Sequence, residues 1–334
     1  MKRMKAMLAR IERPFTAVSL FVCLSIVCPS AAQAVQLFLS NEKDNTVTVV
    51  DAATMDVIKT IPVGKRPRGM AIAPDYREIL VCAGDDDRLD VIDTEKLEVV
   101  RSMPSGADPE FLAIDPTGAL VYVANEDDSL VTVMERKSGK IITEVPVGIE
   151  PEGMAVRSDG RIVVTTSEST SMAHFIDAQK NEVVANVLVD TRPRVAMFSK
   201  DDKLVWVTSE IGGTVAVIDS STYQVVKKIG FEIPGVQGEL IQPMGIRFSA
   251  DNKFAFIALG RANRIAVIDT STLAVVRYIL VGQRPWHMDL HPDGTKLYTV
   301  NGLTNDVTVI DVTTQKPVKS VPVGRLPWMV VIKP

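Results

Sequence analysis

Cysteine and histidine are scarce in this chain, three of each in 334 residues. Three cysteines cannot build a disulfide framework. The histidines, His174, His287 and His291, do not form the His-Glu-x-x-His pattern of a helical zinc site. His287 and His291 stand on a strand followed by a turn, so their spacing of four does not give a shared helical face. A Cys-x-x-Cys-His haem attachment, a Gly-x-Ser-x-Gly elbow and a phosphate-cradling glycine loop are all missing. A strong positive charge is missing too. The formal charge of −4 argues against a nucleic-acid binder, which normally carries a basic face. No stretch has the length and 3.6-residue stripe of a helix. What is present is 46% apolar and 23% charged, the composition of a globular protein.

Residues 1–34 have the layout of an export signal. Lys2, Arg3, Lys5, Arg10 and Arg13 precede the apolar run Phe15–Val27, and the segment ends on the small-x-small triplet Ala32-Gln33-Ala34. The run is shorter than the ~20 residues that span a bilayer. Cleavage before Val35 is therefore expected, giving a periplasmic protein with no membrane attachment. It would retain 300 residues at a charge of −8, because five bases and one acid leave with the signal. Cys23 and Cys28 leave as well. Cys82, in Ile79-Leu80-Val81-Cys82-Ala83, reads as a small buried hydrophobe.

The remainder is repetitive. Runs of the type Val-Ile-Asp end at Asp51, Asp93, the degenerate Glu135, Asp177, Asp219, Asp269 and Asp311, in steps of 42, 42, 42, 42, 50 and 42 residues. A proline keeps the same register independently, at Pro67, Pro109, Pro151, Pro193, Pro243, Pro285 and Pro327. Each period holds four short apolar runs separated by turn residues, as in Arg68–Ala73, Glu78–Ala83, Leu89–Ile92 and Glu98–Met103. Four strands per forty-odd residues predict an all-β, seven-bladed propeller of four-stranded antiparallel blades over 35–334. After Pro327 only a first strand remains, and Val35 begins on a second. The C-terminal strand is thus expected to complete the N-terminal blade and pair its open edge. The repeated Asp residues predict Asx turns bracing the hairpins between third and fourth strands.

Val121-Tyr122-Val123-Ala124-Asn125, Val131-Thr132-Val133 and the recurring Val-Gly-x-x-Pro resemble the YVTN β-propeller family over nearly the whole exported chain. More narrowly, the 42-residue regularity behind an export signal resembles the propellers associated with pyrroloquinoline-quinone (PQQ)-dependent alcohol catabolism. That resemblance implies an exported, non-catalytic binding or docking module, a monomer with no cofactor of its own, linked to PQQ only through the system it serves. The alternatives on the same architecture are a lactonase-like hydrolase, for which Arg284, His287 and Glu152 are the available set, and a non-covalent haem binder with His287 as axial ligand. Metal delivery is a third class.

Because a fold does not supply a function, the irregular positions matter most. The residues flanking each proline should ring one mouth of the central channel: Arg66/Arg68, Asp108/Glu110, Glu150/Glu152, Arg192/Arg194, Gln242/Met244, Arg284/Trp286 and Leu326/Trp328. Ring closure makes Arg284, Trp286, His287, Trp328, Arg66 and Arg68 one arc, suited to an anionic planar ligand or a side chain of a periplasmic protein partner. The competing expectation is that the tryptophans plug the channel and the arginines pair with acids of adjacent blades. The single long step adds Ile233–Leu240, expected to overhang the same mouth. Arg247 and Asp289, four residues after their prolines, predict an ion pair in the channel. The loop acids Glu42, Asp85, Glu126, Glu168 and Glu210 have the chemistry of a Ca²⁺ site but read more simply as solvated acids, and no metal site is predicted.

Overall fold

The computed structural model describes residues 34–334; the expected export signal and its cleavage site fall largely outside them. The described residues form 28 strands arranged as seven four-stranded antiparallel sheets, with only two single-turn 3₁₀ segments, Gly84–Asp86 and Gly238–Leu240. Each sheet is a blade. Blade 2, for instance, runs from the channel outward as Pro67–Ile72, Glu78–Ala83, Arg88–Asp93 and Glu98–Pro104. No helix among the described residues is long and apolar enough to cross a membrane.

Closure occurs as expected. The last strand, Pro327–Lys333, pairs antiparallel with the first, Gln36–Asn41, in the register Gln36↔Lys333 to Ser40↔Met329. Blade 1 therefore takes its innermost strand from the far end of the chain, and the first and last strands of the described residues lie in one sheet. The blades bury both faces of their middle strands. Leu80, Val91, Val123, Val217 and Ile257 are all fully buried, so these strands do not alternate polar with apolar residues.

The repeated aspartates form the expected turns. Asp51 Oδ1 accepts from the amides of Ala53 and Thr54 at 2.8 and 2.9 Å, and Asp93 does the same for Glu95 and Lys96, both at 2.9 Å. The degenerate blade keeps the left-handed turn residue, Gly139 (φ +71°) where Met55 and Leu97 stand elsewhere, but in place of the Asx bonds the Ser138 hydroxyl donates to the Glu135 carboxylate at 2.7 Å.

Candidate functional site: two mouths of a plugged channel

Six of the seven crossings into an inner strand put a non-glycine residue immediately before the proline at φ between 50° and 59°: Arg66, Asp108, Glu150, Arg192, Arg284 and Leu326. The left-handed backbone costs energy and clusters these positions at one mouth, here called the proline-side mouth. In the seventh crossing, which carries the insertion, Gln242 has no such geometry among the described residues.

One residue further on, Arg68, Glu110, Glu152, Arg194, Met244, Trp286 and Trp328 form the first layer of the channel, and its charges are matched between adjacent blades. Arg66 contacts Asp85 at 2.8 Å, Glu110 at 2.7 Å, and Asp108. Arg68 reaches the same Glu110 at 2.6 Å and Glu42 at 3.2 Å. On the other side Arg194 binds Glu152 and Glu210, both at 2.8 Å, and Glu168. Arg192 joins Glu168 at 2.7 Å, and Arg284 joins Glu210 at 2.9 Å and Gln242. The guanidinium of Arg284 lies 4.6 Å from the Trp286 ring centre and that of Arg194 5.9 Å from it, so blade 5 reaches the tryptophan of blade 7.

Burial and neighbours shift these groups in opposite directions. Glu110 is 0% exposed; burial pushes its carboxyl up, but Arg68 and Arg66 outweigh that and hold it below the ordinary range. Glu126 hydrogen-bonds to Glu110 and is pushed up to about 7, first by burial and then by its carboxylate neighbour. Glu152 is likewise raised by burial, against the pull of Arg194. Asp108, Glu110 and Glu126 bring their oxygens within 4.8 Å of one another, but two arginines occupy Glu110 and Glu126 retains a proton near neutrality. Four of the five loop acids considered for Ca²⁺, Glu42, Asp85, Glu168 and Glu210, are bound to arginine instead.

The next layer, two residues after each proline, alternates. Gly69, Gly153 and Gly245 stand in blades 2, 4 and 6, and Phe111, Val195, His287 and Met329 fill the other blades. The glycines allow neighbouring inner strands to touch: a Cβ on Gly69 would lie 2.6 Å from the Glu110 carbonyl oxygen, and one on Gly245 2.5 Å from that of Trp286. The large residues plug the axis. His287 lies 4.2 Å from Trp328 and 5.5 Å from Phe111 between ring centres, and Trp286 lies 6.1 Å from Trp328.

The expected arc keeps its order but not its availability. Trp328 is 1% exposed and His287 5%, so neither stands on a solvent-facing rim. Arg66, Arg68 and Arg284 are partly open but already serve acids, and Trp286 is partly open beside Arg284. The insertion is anchored at its two ends. Phe231, Ile233 and Ile241 are buried in the core between blades 5 and 6, and the Glu232 amide donates to the Tyr278 hydroxyl at 3.1 Å, stapling the loop toward the outer strand of blade 6. An open groove of about 750 Å³ beside it, lined by Lys227, Lys228, Arg277 and Tyr278, lies far from the channel groups.

Below the plug, the opposite mouth opens into a cavity of about 590 Å³, bordered by the turns between first and second strands. Its wall is largely apolar, with Phe111, Met154, Phe198, Phe248, Met288 and Met329. Arg247 and Asp289 face it and form the predicted pair at 3.2 Å. Burial pushes the Asp289 carboxyl up, opposed by Arg247. His287 lines the cavity floor and makes no side-chain hydrogen bond among the described residues; burial, with Arg247 and Arg194 nearby, lowers it to about 3, so the ring is neutral. Residue-by-residue reading located the pair and His287 but not the space they share.

Two family models match parts of the chain: a YNCE-like β-propeller over residues 14–127 and a seven-bladed lactonase β-propeller over residues 177–321. No curated protein matches. Among solved structures, hydrazine synthase of Kuenenia stuttgartiensis superposes with a TM-score of 0.76 at 21% identity, covering 83% of this chain and 92% of its own. A candidate 6-phosphogluconolactonase of Bacteroides fragilis gives 0.77 at 17% identity over 92% and 100%. A dihydro-heme d1 dehydrogenase in complex with its ligand gives 0.67 at 16% identity over 89% and 74%. At such identities the likeness speaks for the fold. The chain is an all-β seven-bladed propeller whose two portions match YNCE-like and lactonase-type propeller models.

Proposed function

We propose that this is an exported, non-catalytic binding propeller that serves a PQQ-dependent alcohol-oxidising system in the periplasm and takes its ligand in the cavity below the plug. One observation carries the binding reading. The charges at the proline-side mouth are consumed in ion pairs, whereas the opposite mouth offers an apolar cavity of about 590 Å³ with a few inward polar groups, the ordinary make-up of a small-molecule site. The lactonase set loses support from the same geometry. Arg284 and Glu152 are bound to acids and bases on one side of the plug, and His287 opens to the other.

The link to alcohol oxidation rests on the sequence resemblance and is tested genetically. A strain lacking the protein should grow poorly on alcohols oxidised through PQQ, and unimpaired growth would remove the assignment. Lactone hydrolysis above background by the purified protein would overturn the non-catalytic reading.

His287 favours one second reading. A neutral imidazole with no partner, at the floor of an apolar cavity, has the chemistry of a haem ligand. Titration of the purified protein with hemin decides it: a Soret shift lost in His287→Phe would replace the first reading, and an unchanged spectrum would exclude this one.

A further inference from the structure

We infer that the cavity below the plug selects a monocarboxylate carried on an apolar body, with the carboxylate held by Arg247. This rests on the reading of that cavity as the ligand site and names the chemistry it would take.

The inference follows from which polar groups there still lack partners. Arg247 donates through Nε to the Met288 carbonyl at 3.2 Å and forms an ion pair through Nη2 with Asp289 at 3.2 Å; Nη1 has no acceptor among the described residues. Lys200, exposed at the rim, has no partner for its ammonium group among the described residues. The acids of the same wall are engaged: Asp289 accepts from the Leu290 amide at 2.8 Å and is ion-paired with Arg247, and Asp202 holds the Ser158 hydroxyl. The net charge of these four side chains is therefore balanced, but their unused hydrogen-bonding capacity is not: two cationic donors are open and the carboxylates are occupied. An incoming acceptor gains charge-assisted bonds that an incoming donor does not find. Around this polar wall Phe111, Phe198, Phe248 and the methionines Met154, Met288 and Met329 favour an apolar, polarisable body. A single inward guanidinium matches a single carboxylate, and the flat fork of arginine suits it better than an ammonium does.

Calorimetric titration with three probes of one shape tests this: naphthoate, naphthylmethanol and naphthylmethylamine, the acid, neutral and basic forms of the same body. Naphthoate should bind about 10- to 100-fold more tightly than the alcohol, the range for a hydrogen bond to a charged group, and the amine most weakly. The double variant R247Q/D289N removes both members of the ion pair, leaves no orphaned buried charge, and should bind acid and alcohol alike. The single variant D289N frees Arg247 and should tighten naphthoate several-fold. Equal binding of acid and alcohol by the natural protein would overturn the carboxylate assignment while leaving the cavity a ligand site. Failure of all three probes to bind would overturn both.

Discussion

The proton shared by Glu110 and Glu126 sets a measurable pH dependence. Glu126 is raised from 4.5 to about 7, so between those values the folded protein keeps a proton that the unfolded chain releases. Stability therefore falls as pH rises through that window, the reverse of the usual behaviour of a salt-bridged carboxylate. A gap of that size corresponds to ~3.4 kcal/mol if it acts in full. Glu126 is only part-buried, and solvent screening reduces this to about 1–2 kcal/mol. Because the two carboxyls titrate as a pair, the effect belongs to both, but Glu126→Gln isolates it: the amide donates to Glu110 at every pH and needs no proton. At pH 5 the variant and the natural protein should melt together. At pH 8 the variant should be more stable by about 1–2 kcal/mol, ~2–4 °C in a domain of this size. Thermal melts followed by circular dichroism from pH 5 to pH 8 supply the test. Parallel curves, or a variant less stable at pH 8, would refute the shared proton.

Three further outcomes follow from the same structure. Arg194→Met leaves the buried Glu152 without its cation, takes one of the arginines from Glu168 and Glu210, and should cost ~3–5 kcal/mol in denaturant unfolding; Glu152→Gln, at a carboxyl already raised by burial and with Oε2 unpartnered, should cost less than about 1 kcal/mol. Cys82 is fully buried with its thiol pushed well up by burial, so a thiol-specific dye should label it only after unfolding, and rapid labelling of the native protein would contradict its placement. A chain stopped after Val323 lacks the strand that pairs with Gln36–Asn41 and should show no cooperative melting transition; native-like melting would mean that the ring does not depend on its closure.

The architecture was legible because two unrelated markers, the Val-Ile-Asp run and the proline, repeat in one register. The Asx turns were legible because the motif is local, spanning three residues. The pairing at the proline-side mouth was also written in the sequence, one period apart. Arg68 and Glu110 are 42 residues apart, as are Glu152 and Arg194, so the same strand position in adjacent blades carries opposite charge. That pairing, with tryptophan plugging the channel, was the competing expectation to an open arc, and the structure takes it because the blades that stand side by side carry the opposite charges. How the insertion is anchored was not legible: loop length gives reach, but its ends are fixed by where Phe231, Ile233 and Ile241 find apolar cover.

The same logic explains why the open chemistry sits at the mouth that sequence reading passed over. The proline-side layer collects its charges on left-handed crossings and on inner-strand positions that face one another at short range, so opposite charges pair and the mouth becomes part of the scaffold. Beneath it, alternation of glycine with Phe111, Val195, His287 and Met329 narrows the axis until side chains fill it. Two residues further, the pattern loosens: Ala155 leaves space beside Met197, Arg247 and Asp289 that these side chains do not fill. A repeat protein can concentrate unlike side chains at one position of each period without disturbing the strands, since the blades are held by their middle strands. The cavity is thus formed where the repeat is least regular, and hydrogen-bonding capacity is left open there, among the described residues, at Arg247 Nη1, Lys200 and the His287 ring.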